Sequence, residues 1–119
     1  MIEKILTKYL SAAFSGDNPP QEKIPVYMTL PPNPARRCIV IEKTGGGAEN
    51  HIFHATVAVQ SYGETLLAAA ELNERVKSVM ENIITEPSVS ACRLNSDYNF
   101  TDPQSKKYRY QAVFHITHY

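Results

Sequence analysis

The chain has 119 residues, of which 43% are hydrophobic and 20% charged, and these values predict one soluble globular domain rather than a fibre or a disordered segment. Twelve basic and twelve acidic residues give a formal charge of +0, so the composition does not favour a nucleic-acid binder, whose affinity comes from neutralising phosphates. No stretch approaches the ~18 apolar residues of a membrane span, and residues 1–14 lack the continuous apolar run of a secretory signal. The expected location is therefore a cytoplasm.

The N-terminal part of the chain divides into a helix and a proline-rich arm. Apolar residues recur along residues 2–14 with the spacing of one helical face, which predicts an amphipathic helix that Gly16 ends. Residues 17–37 contain six prolines, which remove backbone donors and exclude a central strand or a helix interior. We therefore expect an extended arm with at most a short edge strand at residues 26–30. The arm either wraps across the protein's own sheet or contacts a partner subunit.

Two strands and a glycine-rich turn follow the arm. Residues 38–43 alternate as a strand, and residues 51–62 alternate more clearly between apolar and polar side chains. Between them, Gly45, Gly46 and Gly47 predict a flexible hairpin turn over residues 44–50. A phosphate-binding loop is not expected there, because no Lys-Ser or Lys-Thr pair follows the last glycine.

A long helix and a hairpin make up the second half of the chain. Ser61 and Glu64 have the spacing of a capping box, which predicts a helix that runs to about residue 85, before Pro87. Residues 89–98 and 108–119 alternate as strands on either side of a turn at residues 99–105. This order predicts an α+β fold, with an antiparallel or mixed four- to five-stranded sheet and two helices packed on it. We expect one domain, made of an N-terminal helix (residues 1–16), the arm (17–37) and a core (38–119).

The histidines are the main candidates for a chemical site. His51 and His54 are three residues apart, as are His115 and His118, and on strands this spacing places the members of each pair on opposite faces. A metal site would therefore need ligands from several strands, for example His54 with a residue of the last strand. Half-exposed strand histidines are the simpler interpretation, and no metal is expected.

Other reactive groups are few. Cys38 and Cys92 lie in apolar segments, where buried thiols acting as small hydrophobes are the simpler interpretation, and a disulfide between them or a reactive thiol is the alternative. Asp97 and Asp102 flank a turn, where we expect them to bond to the backbone. No nucleophile elbow or paired buried carboxylates occur, so we expect neither enzymatic activity nor a cofactor.

Basic residues and glycines are the candidates for a subunit interface. Two arginines end the arm, and three basic residues lie at the start of the last strand. These side chains lie on a solvated face or pair with carboxylates of a neighbouring subunit, for which the arginine fork is well suited. The candidate interface residues are Arg36, Arg37, Gly45, Gly46, Gly47, Lys106, Lys107 and Arg109.

Several segments resemble a known family. Residues 93–103 (RLNSDYNFTDP) and 108–114 (YRYQAVF) resemble the ending of the tail terminator, or tail completion, proteins of long-tailed bacteriophages, in which a D-P turn leads to a final strand with an R-Y-x-A core. Residues 58–63 lead into an alanine-rich helix at residues 68–70, as in that family. Residues 25–27 and 31–36 are similar to the family's extended segment before its first strand.

The resemblance implies a structural protein of a phage or prophage tail, assembled in the bacterial cytoplasm, with no catalytic residues. Its subunits, expected to number six, would form a ring that caps the tail tube, ends tube polymerisation and presents a surface to the head–tail connector. The implied partners are other copies of the chain, the tail tube protein and the connector protein, with no membrane and no sequence-specific nucleic acid. The alternatives are a head-closure or neck protein of the same particle and a small cytoplasmic ligand-binding domain.

Overall fold

The structure is a computed structural model, and it describes residues 1–16, 23–105 and 107–119. Within these ranges the chain forms an α+β fold with two α-helices and one mixed five-stranded sheet, which confirms the predicted fold class. The elements are α1 (Ile2–Ala13), β1 (Val26–Tyr27), β2 (Cys38–Glu49), β3 (Ile52–Gly63), α2 (Leu66–Glu81), β4 (Val89–Asn99) and β5 (Tyr108–His118). Residues 17–22 of the predicted arm lie outside the described residues, and so does Lys106.

The sheet has the strand order β1-β2-β3-β5-β4. β1 pairs in parallel with β2, through Val26 beside Ile39 and Tyr27 beside Val40. All other neighbouring strands are antiparallel, and β3 lies at the centre because β2 and β5 pair along nearly its whole length. The predicted edge strand at residues 26–30 is therefore present, but it is shorter than expected.

Both helices pack on the same face of the sheet. Their buried side chains and those of the facing strand positions form a single hydrophobic cluster, which agrees with the predicted stripes and strand alternation. The fully or almost fully buried members from the helices are Ile2, Leu6, Leu10, Leu72, Val76 and Met80. Phe14, just after α1, also joins this cluster. None of the described helices has the length and apolar character needed to cross a membrane.

The opposite face of the sheet is not covered by α1 or α2, and we call it the open face. It carries a second, smaller cluster of Cys38, Val40 and Tyr62, against which Tyr27 and Leu30 pack. The part of the arm near Leu30 therefore wraps over one end of the protein's own sheet. By strand alternation and pairing, the other open-face positions are Glu42, Gly45, Gly47, Glu49, Ile52, His54, Thr56, Ala58, Gln60, Ala91, Arg93, Ser96, Tyr98, Arg109, Gln111, Val113, His115 and Thr117.

The predicted flexible turn over residues 44–50 is wrong. β2 continues as far as Glu49, and Gly45, Gly46 and Gly47 pair with Thr56, Ala55 and His54 of β3 after a register shift at residue 44. The turn itself consists of Asn50 and His51, whose φ angles are 51° and 64°. Positive φ at both central residues is the signature of a type I′ turn, whose twist matches that of the flanking strands. The glycines therefore belong to a strand, because pairing with β3 outweighs their low strand propensity.

The start of α2 also differs from the prediction. Ser61 lies inside β3 and is fully buried, so it cannot cap a helix. The N-cap is Thr65, whose side-chain oxygen accepts a hydrogen bond of 3.0 Å from the Ala68 amide. α2 ends at Glu81, and a short 3₁₀ turn at Ile83–Thr85 replaces the last predicted helical turn. Glu64 is thereby left outside the helix, where it forms a different contact.

Candidate interaction surface

A chain of hydrogen bonds crosses the open face through five side chains. Arg109 donates to the Tyr62 hydroxyl at 2.9 Å, and that hydroxyl donates to the Gln60 Oε1 at 3.2 Å. Gln60 Nε2 donates to the Gln111 Oε1 at 3.0 Å, and Gln111 Nε2 donates to the Tyr98 hydroxyl at 2.6 Å. The chain links three neighbouring strands, β3, β5 and β4. We call these five residues the polar ladder.

The three middle members of the polar ladder are buried although no helix lies above them, whereas Tyr98 at one end is exposed. Gln60 is 8% exposed, Gln111 9% and Tyr62 7%. Low exposure strengthens these hydrogen bonds and makes an unpaired member costly, so the ladder fixes the side chains on this face in one arrangement. The part of the open face that carries the ladder is therefore preorganised.

Arg109 is anchored at the end of the ladder. Its Nε donates to the Phe100 carbonyl at 2.6 Å, and its guanidinium carbon lies 4.5 Å from the centre of the Phe100 ring. The same guanidinium carbon lies 5.8 Å from the centre of the Tyr62 ring. A predicted interface residue is thus held by contacts within its own chain, which leaves its charge in a fixed position.

Histidines and threonines alternate at the hairpin end of the open face. Thr56 Oγ1 and His115 Nδ1 are 3.2 Å apart, and Thr117 Oγ1 and His54 Nδ1 are 3.3 Å apart. Arg93 pairs with His115 across the strands, and these side chains border a groove of about 690 Å³. His54 does meet a residue of the last strand, but that residue is a threonine. Within residues 1–16, 23–105 and 107–119, no three metal-ligating side chains come together.

Gly45 and Gly47 lie beside these histidines and threonines on β2. A Cβ added at Gly47 would meet nothing within 4 Å, and one at Gly45 would only touch Thr56 at 3.8 Å. Neither glycine has a φ angle in the left-handed region. The packing and backbone of a single chain therefore do not require glycine at these two positions, which leaves one side of the groove without side chains.

The candidate arginines of the arm lie at the other end of the sheet. Arg37 forms a forked ion pair with Glu64, with Arg37 NH2 2.6 Å and Arg37 Nε 3.0 Å from Glu64 Oε1. This hydrogen-bonded contact lowers the pKa of Glu64 from its ordinary value of 4.5 to about 2. Sequence reasoning assigned Glu64 to a helix cap, and its pairing with a residue 27 positions away had no local signal.

Lys107 and Arg36 come together although they are far apart in the sequence. Both line a groove next to Cys38 and Tyr62 at the arm end of the sheet. Lys107 also forms an isolated backbone bridge with Asp102. The candidate interface residues that the structure describes thus fall into a basic group at the arm end and the three glycines at the hairpin end.

The two cysteines do not form a disulfide. Cys38 belongs to the open-face cluster, whereas Cys92 packs against the helix-side core, so the sheet separates them. Burial raises the pKa of each thiol to about 11. Both thiols are therefore protonated at neutral pH and weak nucleophiles, in agreement with their predicted role as small hydrophobes.

Asp97 and Asp102 have different roles. Asp102 Oδ1 accepts a hydrogen bond from the Gln104 amide at 2.9 Å, as predicted, and this bond lowers the Asp102 pKa. Asp97 instead lies within β4, which continues to Asn99, and accepts hydrogen bonds from Asn73 at 2.9 Å and Lys77 at 3.0 Å. The expected backbone contact of Asp97 is therefore wrong, and the residue joins β4 to α2.

No known protein family matches this sequence, and comparison with curated proteins also yields no match.

Replacing Arg37 tests the ion pair at the arm end. The Glu64 pKa is below its unfolded value, so the pair contributes stability above about pH 4.5 and loses this contribution as the pH falls toward 2. We expect Arg37→Met to return the Glu64 pKa toward 4.5 in an NMR titration of the side-chain carboxyl. Arg36→Met is the matched control and should leave most of the shift, since Arg36 is the weakest contributor. A Glu64 pKa still near 2 in Arg37→Met would refute this assignment.

A double-mutant cycle tests the polar ladder. Gln111→Met leaves the Gln60 amide without its acceptor, so we expect a loss of ~1–3 kcal/mol of unfolding free energy. Gln60→Met together with Gln111→Met should cost less than the sum of the single changes, because both partners are then apolar. Gln104→Met, in the exposed turn, should remain within ~0.5 kcal/mol of the wild type. Urea unfolding of the wild type, both single variants, the double variant and the control measures these changes, and additive effects at residues 60 and 111 would contradict the ladder.

Proposed function

We propose that this chain is a structural subunit that forms a ring on the end of a phage tail tube, ends tube polymerisation and presents a surface for head–tail joining. The main observation that supports the proposal is that the two faces of the sheet differ. One face is covered by α1 and α2, and the other is open and carries the hydrogen-bonded polar ladder. A preorganised face of this kind suits a protein that docks onto a partner surface with little loss of conformational entropy.

The segments that resemble tail terminators contribute directly to this face. Residues 93–103 and 108–114 form the larger part of β4, the start of the following turn and most of β5, and they supply Arg93, Tyr98, Arg109 and Gln111. Residues 58–63 form the end of β3 and supply Gln60 and Tyr62. The resemblance and the open face therefore coincide in the same residues, which supports a common structural role.

The proposal includes no covalent chemistry and no cofactor. The two protonated thiols, with pKa values of about 11, support this view because a thiolate nucleophile needs a lowered pKa. In this proposal the protein is made in the bacterial cytoplasm and ends in the tail of the virion, as part of a phage or a prophage. Its partners are other copies of itself, the tail tube protein and the connector.

Two alternatives predict different behaviour. A head-closure or neck protein of the same particle would also be a ring subunit, but it would bind the connector and leave the tube free to grow. The groove beside His54 and His115 favours the second alternative, a ligand-binding domain. Such a domain would remain a monomer or dimer at every concentration and would not bind the tube.

The first test is light scattering across a concentration series, with and without the purified tail tube protein of the same phage or prophage. We expect one of two results. Either a discrete species with the mass of a six-subunit ring forms, or tube growth stops when this protein is present at a much lower concentration than the tube protein. A monomer with no concentration dependence that leaves tube growth unchanged would overturn the proposal. Ring formation without any effect on tube growth would favour the neck protein.

A further inference from the structure

We propose that neighbouring subunits join edge to edge, so that residues 45–49 of β2 in one copy pair with β4 of the next copy. This inference rests on the proposed ring and specifies the contact that would close it. The occupant of the free edge is a second copy of this chain. Four features of the structure support this arrangement.

The first feature is an unpaired edge on β2. β1 covers β2 only at Ile39 and Val40, so no described strand lies along the outer side of residues 45–49. Residues 46–49 are exposed. Residues 46–49 contain no proline, and no loop among the described residues pairs with their outer side. An exposed edge of this kind is a template for another strand, which proteins use for assembly when they do not block it.

The turn determines which backbone groups of this edge are available. In a two-residue hairpin the residues that flank the turn, Glu49 and Ile52, form a hydrogen-bonded pair. Antiparallel pairs alternate, so Gly47 and Gly45 also direct their backbone groups toward β3. Gly46 and Ala48 then direct their N–H and C=O groups outward, where a neighbouring strand would lie.

The second feature is the position of the two edges. β4 ends the sheet on the side opposite β2, and the order of antiparallel strands gives β2 and β4 opposite directions. If copies are related by rotation about an axis roughly along the strands, β4 meets β2 of the next copy in the more stable antiparallel arrangement. Contact between two different edges is heterologous, and a heterologous contact gives a ring when the rotation from one copy to the next closes after a whole number of subunits.

The third feature is complementary charge on the open face. Glu42 and Glu49 lie on β2 at one edge, and Arg93 lies on β4 at the other. All three are exposed, and none has an ion pair with another described residue. Between the two glutamates the open-face positions are Gly45 and Gly47, which leaves room for the long Arg93 side chain of a neighbour. An arginine of the neighbouring copy above these positions would explain why both are glycine, which the packing within a single chain does not explain.

The fourth feature limits the contact on β4. Register shifts interrupt the pairing of β4 with β5 between Val89 and Ala91 and between Leu94 and Ser96. They leave two regular stretches, residues 91–94 and 96–99. The first is the one level with the free edge of β2, because the pairing connects Ala91 through Thr117 and His54 with Gly47. Bulges that shorten an edge also fix its register, so this stretch would accept a short strand in one alignment.

A charge exchange tests the contact in the full-length protein. Arg93→Glu and Glu49→Arg each place two like charges across the contact between neighbouring copies. We therefore expect each single variant to need a roughly tenfold higher protein concentration to form rings on tail tubes. The double variant, Arg93→Glu with Glu49→Arg, should restore most of the assembly. Glu81→Arg, at the end of α2, is the control for charge alone and should assemble normally.

A backbone variant tests the hydrogen bonds of the edge. Ala48→Pro removes an outward N–H that the single chain does not use, so the thermal melting temperature should change little while ring formation is lost. Ala48→Ser retains the N–H and should assemble as the wild type does.

The outcomes separate this inference from the proposed function. If the wild type forms rings that arrest tubes and the single charge variants and Ala48→Pro do so equally well, the edge contact is wrong and the ring proposal stands. If the wild type forms no ring with tubes present, both are wrong. Loss of ring formation in the single variants without rescue in the double variant would overturn the pairing of Glu49 with Arg93.

Discussion

The pairing of β3 on both of its sides is the constraint on which the rest of the structure depends. β3 holds β2 on one side and β5 on the other along nearly all of its length. Its alternation directs Val57 and Val59 into the core beneath the helices and directs His54 and Gln60 onto the open face. A slip of one residue would exchange these two sets, placing amide and imidazole groups under the helices. Core packing and open-face chemistry are therefore fixed by the same register.

Because both helices lie on one face, the other face must satisfy its own polar groups. Gln60 and Gln111 do this by bonding to each other and to the neighbouring tyrosines of the ladder, Tyr62 and Tyr98. The result is a pair of amide side chains with low exposure on a face that no helix covers. Such a surface is costly to build into a domain that has no use for it, since each member must be satisfied. This is the physical reason to look for a partner on the open face.

Local patterns in the sequence were sufficient for much of the fold. The apolar stripes of α1 and α2 and the alternation in β3 and β5 predicted those elements, because the side-chain period is a direct consequence of helix and strand geometry. The glycine segment was misread because its pairing is supplied by β3, and glycine by itself favours turns. Ser61 and Glu64 were misread because a capping spacing occurs by chance within a strand that continues to Gly63.

The candidate surface was harder to predict because its contacts are long-range. Gln60 and Gln111 are 51 positions apart, and Arg37 and Glu64 are 27 apart. No periodicity links such residues, and only the strand order brings them together. Alternation did place Gln60 on the polar side of β3, so part of the open face was visible in the sequence. The hydrogen-bonded ladder across it was not.

The central claim is that the open, rigid face and the two unlike edges of the sheet belong to a subunit of a ring at the end of a tube. Electron cryomicroscopy of tail tubes assembled with this protein tests that claim most directly. The account predicts one ring at an end of each tube, with the sheets of adjacent subunits joined edge to edge. Tubes with bare ends, or protein distributed along the tube wall, would contradict it.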